Sequence, residues 1–193
     1  MSWHNPIPAL RTFRYRALVR PFAALGAALL LAGCFQPLYG ERSAAGGPGI
    51  RDLMSSVDVS QIAAPNGTRL SRLAVEVRNG LLFELTGGSA PPPPTHRLKI
   101  TLSSTETSVI VDVDTARPDV QNYGIDATYI LTEIATGKVV VTSRTFARVS
   151  YDIPGQEQRF ARSRGLRDAE NRAAKVIADN IRTRLASYFV AGT

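Results

Sequence analysis

Cys34 is the only cysteine in the 193-residue chain, and its neighbours give it a specific chemistry. Leu31-Ala32-Gly33-Cys34 sets small residues before a thiol that can carry a diacylglycerol. A lone cysteine leaves no intrachain disulfide, no CxxC redox pair and no cysteine-rich zinc site. No GxSxG elbow, Walker loop or HExxH run occurs either. His96, the one histidine after Cys34, stands beside the break Pro91 to Pro94 and reads as a surface residue rather than a ligand or base. Asp112 and Asp114 lie two apart on a strand-like stretch, so they face one side and resemble a paired-carboxylate or metal site. With no third ligand placed by the sequence, a solvated strand edge or turn is the preferred reading. No catalytic centre is expected, and the chain is read as a non-enzyme without a cofactor.

Cationic side chains offer a different chemistry. On the stretch Lys138 to Tyr151, Arg144, Phe146 and Arg148 share one face by the two-residue period of a strand. Arg97 and Lys99 share another, opposite Leu98 and Ile100. Guanidinium groups bind phosphates and carboxylates through bidentate, charge-assisted hydrogen bonds, so both groups are candidate anion-binding faces. Ordinary solvent-facing charge is the competing reading of each.

The residues before Cys34 explain how its thiol would be reached. They carry Arg11, Arg14, Arg16 and Arg20 and no acid, and then run apolar from Phe22 to Ala32. That is the layout of a signal peptide. Its apolar run of about eleven residues falls well short of the roughly 20 that span a bilayer. A mitochondrial transit peptide is also Arg-rich and acid-poor, but Leu31-Ala32-Gly33-Cys34 matches the lipobox of bacterial lipoproteins. Several acyl chains, at about 0.8 kcal/mol per buried methylene, hold a protein stably on a membrane where one chain does not. Cys34 is therefore the expected lipid attachment site. Cutting there lowers the net charge from +7 to +3, with 19 basic against 16 acidic residues. That surplus is too small to argue for nucleic acid.

The remaining 160 residues suit a single domain. Residues 34–55 read as a lipidated N-terminus and flexible tether, glycine-rich over 40–50, and 56–193 as one folded domain. Val57 to Ile62 suggests a short strand. Leu70, Leu73, Ala74, Val77, Leu81 and Leu82 have helical spacing over Thr68 to Leu85, with Asn66 or Thr68 as cap and Gly87-Gly88 as stop. Strand alternation then covers Leu98 to Leu102, Val109 to Val113 and Tyr123 to Leu131. Thr136-Gly137 marks a hairpin and Lys138 to Tyr151 the return. From about Phe160 to Val190, Leu166, Ala169, Ala173, Val176, Ile177, Ile181, Leu185 and Phe189 form one helical stripe. The expected fold is α+β: two helices packed on one face of a mostly antiparallel sheet of about four strands.

The start of the mature chain, Cys34-Phe35-Gln36-Pro37-Leu38-Tyr39-Gly40, resembles that of the lipopolysaccharide-assembly lipoprotein LptE family, where Phe-x-Pro-Leu-Tyr closely follows the lipidated cysteine. A glycine often found between cysteine and phenylalanine is missing here. Tyr151-Asp152, the run Asp168 to Ala174 and the helix ending Leu185 to Phe189 continue the similarity at the level of pattern. The resemblance implies a lipoprotein on the periplasmic face of the outer membrane that plugs an LptD-like β-barrel and helps deliver lipopolysaccharide. Phe35 after the cysteine, rather than Asp, agrees with outer-membrane sorting. In that setting Arg144, Phe146 and Arg148, with Arg97 and Lys99, become candidate lipopolysaccharide-binding residues; they are read from strand period and charge, not from family positions. Two other classes fit a lipobox on a small α+β domain. One is an auxiliary lipoprotein of an ABC-type lipid transport system, the other a lipoprotein activator of an envelope enzyme.

Overall fold

Alternation of apolar and polar residues builds three long strands, and a computed structural model shows how they join. It describes residues 48–111, 118–153 and 159–191. The signal peptide, Cys34 and the Phe-x-Pro-Leu-Tyr motif lie outside these, as do Asp112 and Asp114. The elements run α1 (Ile50–Ser55), β1 (Val57–Val59), α2 (Arg69–Thr86), β2 (His96–Val111), β3 (Pro118–Glu133), β4 (Val139–Asp152) and α3 (Arg159–Ala191). The strands form one sheet in the order β1-β2-β3-β4. β1 is parallel to β2, and β2, β3 and β4 are an antiparallel meander. The α+β architecture expected from the sequence is the one observed.

α2 begins where Thr68 accepts a hydrogen bond from the Ser71 N–H and stops at Gly87, whose φ of 62° takes the left-handed cap. Its stripe of Leu73, Val77, Leu81 and Leu85 is buried, with Leu70 only half so. The β3–β4 hairpin closes on Gly137 at φ 69°, with Glu133 N–H donating to the Lys138 carbonyl at 2.9 Å.

Three expectations change. The stretch Ile50–Ser55, assigned to the tether, is a helix whose Met54 is buried in the core, so folded structure begins before residue 56. Val176 is 42% exposed, and the buried stripe of α3 is instead Ala169, Ala173, Ala174, Ile177, Ala178, Ile181, Leu185 and Ala186. Alanines bring α2 and α3 close: a Cβ at Gly80 would sit 3.8 Å from that of Ala178. Across this contact Arg72 pairs with Glu170, a carboxylate only 3% exposed. His96, read as a surface residue, is half-buried. Its ring meets Phe189 at 5.2 Å and Tyr188 at 6.3 Å, edge to face, and its Nδ1 bonds the Thr95 hydroxyl at 2.9 Å. A strand start docked against the end of a helix is a pairing that the local polyproline break does not reveal.

Candidate anion-binding face of the sheet

One face of the sheet is buried and the other is open, because both long helices pack on the same side. Leu98, Ile100, Leu102, Tyr123, Ile125, Ala127, Tyr129, Leu131, Val141, Ala147 and Tyr151 are all buried. The residues between them point the opposite way. Strand register arranges that second face in rows: Thr105–Gly124–Arg148, Ser103–Asp126–Phe146, Thr101–Thr128–Arg144 and Lys99–Ile130–Thr142. Arg97 follows one row further. The two basic groups that the sequence separates therefore share one face. Two residues along and two strands across put the Cα atoms of Lys99 and Arg144 about 12 Å apart.

The arginines are not equivalent. Arg144 is 71% exposed and touches Asp126 only loosely, at 3.4 Å. Arg148 is built into the sheet. Its Nη2 donates to Asp126 at 3.0 Å, and its Nη1 donates to the carbonyls of Ile125 and Ala147 at 3.1 and 3.0 Å. Its stem lies across β3 at Gly124, where an added Cβ would stand 2.9 Å from Arg148 Cδ and 2.8 Å from the Thr105 hydroxyl. Glycine in the middle of a strand is thus explained by close approach of a neighbouring side chain. The guanidinium also stands 5.5 Å from the Phe146 ring centroid, within cation–π reach, and that ring is 64% exposed.

Arg97 and Lys99 line a groove of about 450 Å³ beside the β3–β4 turn, with Ser60, Thr132 and Ile134. Arg97 pairs with Asp58 at 3.3 Å. Lys99 and Arg144 are therefore the cations least committed to neighbours, with Arg148 fixed by its own.

Chemically, such a face can hold phosphates or carboxylates by charge-assisted hydrogen bonds while Phe146 offers a flat apolar surface. Sequence reasoning found both basic groups but not Asp126 or Gly124. An isolated glycine within an alternating strand was the available signal. No group of three or more His, Cys, Asp and Glu that could hold a metal occurs among the described residues, and no helix among them is long and apolar enough to cross a membrane.

This architecture is a small α+β domain known from solved lipoproteins. A candidate lipoprotein of Caulobacter crescentus CB15 superposes with a TM-score of 0.57 at 22% identity, over 75% of this chain and 97% of that one. Rare lipoprotein B from Shewanella oneidensis gives 0.50 at 17% identity, covering 69% and 96%. An uncharacterized lipoprotein B from Nitrosomonas europaea gives 0.51 at 10% identity, covering 72% and 90%. At these identities the likeness establishes the fold, which spans nearly the whole of each of those chains. No family model and no curated protein matches the sequence.

Proposed function

We propose that the protein is an outer-membrane lipoprotein, anchored through Cys34 on the periplasmic side, that works as LptE proteins do: partner and plug of an LptD-like β-barrel in lipopolysaccharide assembly. One conjunction carries the reading. A basic and apolar leader ends in a lipobox, the mature chain opens Phe35-Gln36-Pro37-Leu38-Tyr39, and the domain that follows has the fold of a rare lipoprotein B. The open sheet face supports it further, because phosphates and sugars of lipopolysaccharide match its cations and the exposed Phe146 ring.

Affinity purification of the full chain from detergent-solubilised membranes tests the proposal. The expected result is an outer-membrane β-barrel recovered in stoichiometric amount. Recovery of an inner-membrane transporter or of a cell-wall enzyme instead would overturn it in favour of a transport auxiliary or an enzyme activator.

A further inference from the structure

α2 and α3 run parallel, in a register that the contacts between them fix. Arg72 pairs with Glu170 and Glu84 with Arg182, each pair 98 positions apart, and Gly80 faces Ala178 at the same offset. Arg69, where α2 begins, is therefore level with Arg167 on α3. The turns of α3 from Arg159 to Leu166 reach beyond α2. Phe160, in this overhang, is 87% exposed. It stands nine residues, about two and a half turns, from buried Ala169, which puts it on the side of α3 away from the sheet. The same spacing separates Arg164 from buried Ala173.

Phe160, Arg164, Arg167, Asn171 and Lys175 follow one another at helical intervals of three or four, and all are exposed. Among the described residues, Arg164, Arg167 and Lys175 enter no ion pair or side-chain hydrogen bond. Nearby acids are engaged or lie further along. Arg172 holds Asp168 at 2.7 Å and Arg182 holds Glu84 at 3.1 Å, while Glu76 and Asp179 line the groove of about 460 Å³ between the helices. Phe83, on the α2 side of that groove, is a second ring at 66% exposure. In the shared register it is level with Ile181, about 30 Å along the helix layer from Phe160.

We propose that this outer side of the helix layer lies on an anionic phospholipid bilayer, with Arg164, Arg167 and Lys175 among the phosphates and the two rings at the boundary with the acyl chains. Uncommitted cations beside exposed aromatic rings are what an interfacial surface needs. The origin of the chain singles out that occupant. Cys34 precedes Gly49, the cap of α1, by 15 residues, about 50 Å at full extension. The folded part begins near Arg182, since Arg51 lines a cleft with Glu84 and Arg182. From there to Phe160 is about 33 Å along α3, so a lipid on Cys34 leaves both ends of the layer within reach of one membrane. The sheet face suits the role less, because Arg148 is already held by Asp126 and two carbonyls. With the helices down, that face points away from the bilayer. The proposal rests on the lipid anchor and not on the barrel: it describes the lipoprotein before a barrel receives it.

The only tryptophan, Trp3, lies ahead of Cys34, so in the mature protein an introduced one reports alone. Phe160→Trp and, for comparison, Phe146→Trp on the sheet are purified with their lipid and reconstituted on vesicles of phosphatidylethanolamine and phosphatidylglycerol, without a barrel. Flotation is measured first: a chain that does not float refutes the anchor itself, and fluorescence is read on chains that do. Emission from Phe160→Trp is expected to shift to shorter wavelength and to be quenched by lipid brominated near the headgroup end of its acyl chains, while Phe146→Trp stays water-like. Adding Arg164→Glu and Arg167→Glu to Phe160→Trp, or replacing phosphatidylglycerol by phosphatidylcholine, should remove most of the quenching with circular dichroism unchanged. Water-like emission from floated Phe160→Trp, quenching of Phe146→Trp in its place, or quenching that ignores both changes of charge overturns the proposal.

Discussion

Arg148 donates to Asp126 across two neighbouring strands at 3.0 Å, and the same carboxylate is the weaker partner of Arg144 at 3.4 Å. This division of labour decides which substitutions report on ligand binding. Replacing Arg148 by Glu sets two carboxylates side by side and abandons two bonds to backbone carbonyls, so the melting temperature is expected to fall by several degrees. Arg144→Glu with Lys99→Glu removes the two least committed cations and should leave the melt near wild type. Exposed charges contribute about 0 to 1 kcal/mol singly, which is why both are reversed together. Binding of purified lipopolysaccharide by the folded double variant is expected to weaken several-fold, most steeply at low salt. Equal binding across salt concentrations would remove this face from the proposed function.

Membrane attachment is expected to reside in Cys34. Mass spectrometry of the mature protein should find its N-terminus at Cys34 carrying lipid, and Cys34→Ser should release the chain from washed membranes. A chain that keeps residues 1–33, or a variant that sediments with membranes as wild type does, would refute the anchor.

Packing predicts a contrast within about one and a half turns of α3. Ile181 is fully buried whereas Val176 is 42% exposed. Ile181→Ala, like Leu73→Ala on α2, is expected to cost about 2 to 5 kcal/mol in urea denaturation, and Val176→Ala within about 0.5 kcal/mol. Comparable losses at 181 and 176 would mean that α3 is rotated from the orientation described.

His96 gives the stability a pH dependence. Burial against Tyr188 and Phe189 pushes its imidazole below the usual 6.5, and the Glu133 carboxylate opposes this more weakly. The unfolded chain therefore takes up the proton at a higher pH than the folded one. The contribution from neutral His96 is complete above 6.5 and is lost as pH falls through the depressed folded value. The midpoint of denaturation should drop over that window in wild type and drop less in His96→Phe. An identical pH profile for the two would show that this histidine is not a determinant.

How much was legible in the sequence follows from how local each signal is. Alternation around Lys138 to Tyr151 and the cap-to-stop span of α2 are written in neighbouring residues, so α2, β4 and α3 were readable nearly to their ends, whereas the polar middle of β2 divided it into two shorter stretches. The seat of Met54 in the core depends on α1 meeting elements far along the chain, and no periodicity in six residues shows that. Val176 sits one position from Ile177, and a stripe drawn by hydrophobicity includes it; the helix instead buries alanines, which only close approach to α2 rewards. The two basic groups were legible as residue types on strands. Their union on one face was not, because it rests on the register of β2 against β3 and β4.

The notch at Gly124 biases the order in which this protein changes. A methyl group at 124 collides with Arg148 and Thr105 as they stand, while a shorter residue at 148 meets no such barrier. A side chain at 124 therefore asks Arg148 to swing its flexible stem aside and Thr105 to turn its hydroxyl, so it is accommodated more easily once position 148 is shorter. Two sites on different strands are in this way linked in the order of change they favour.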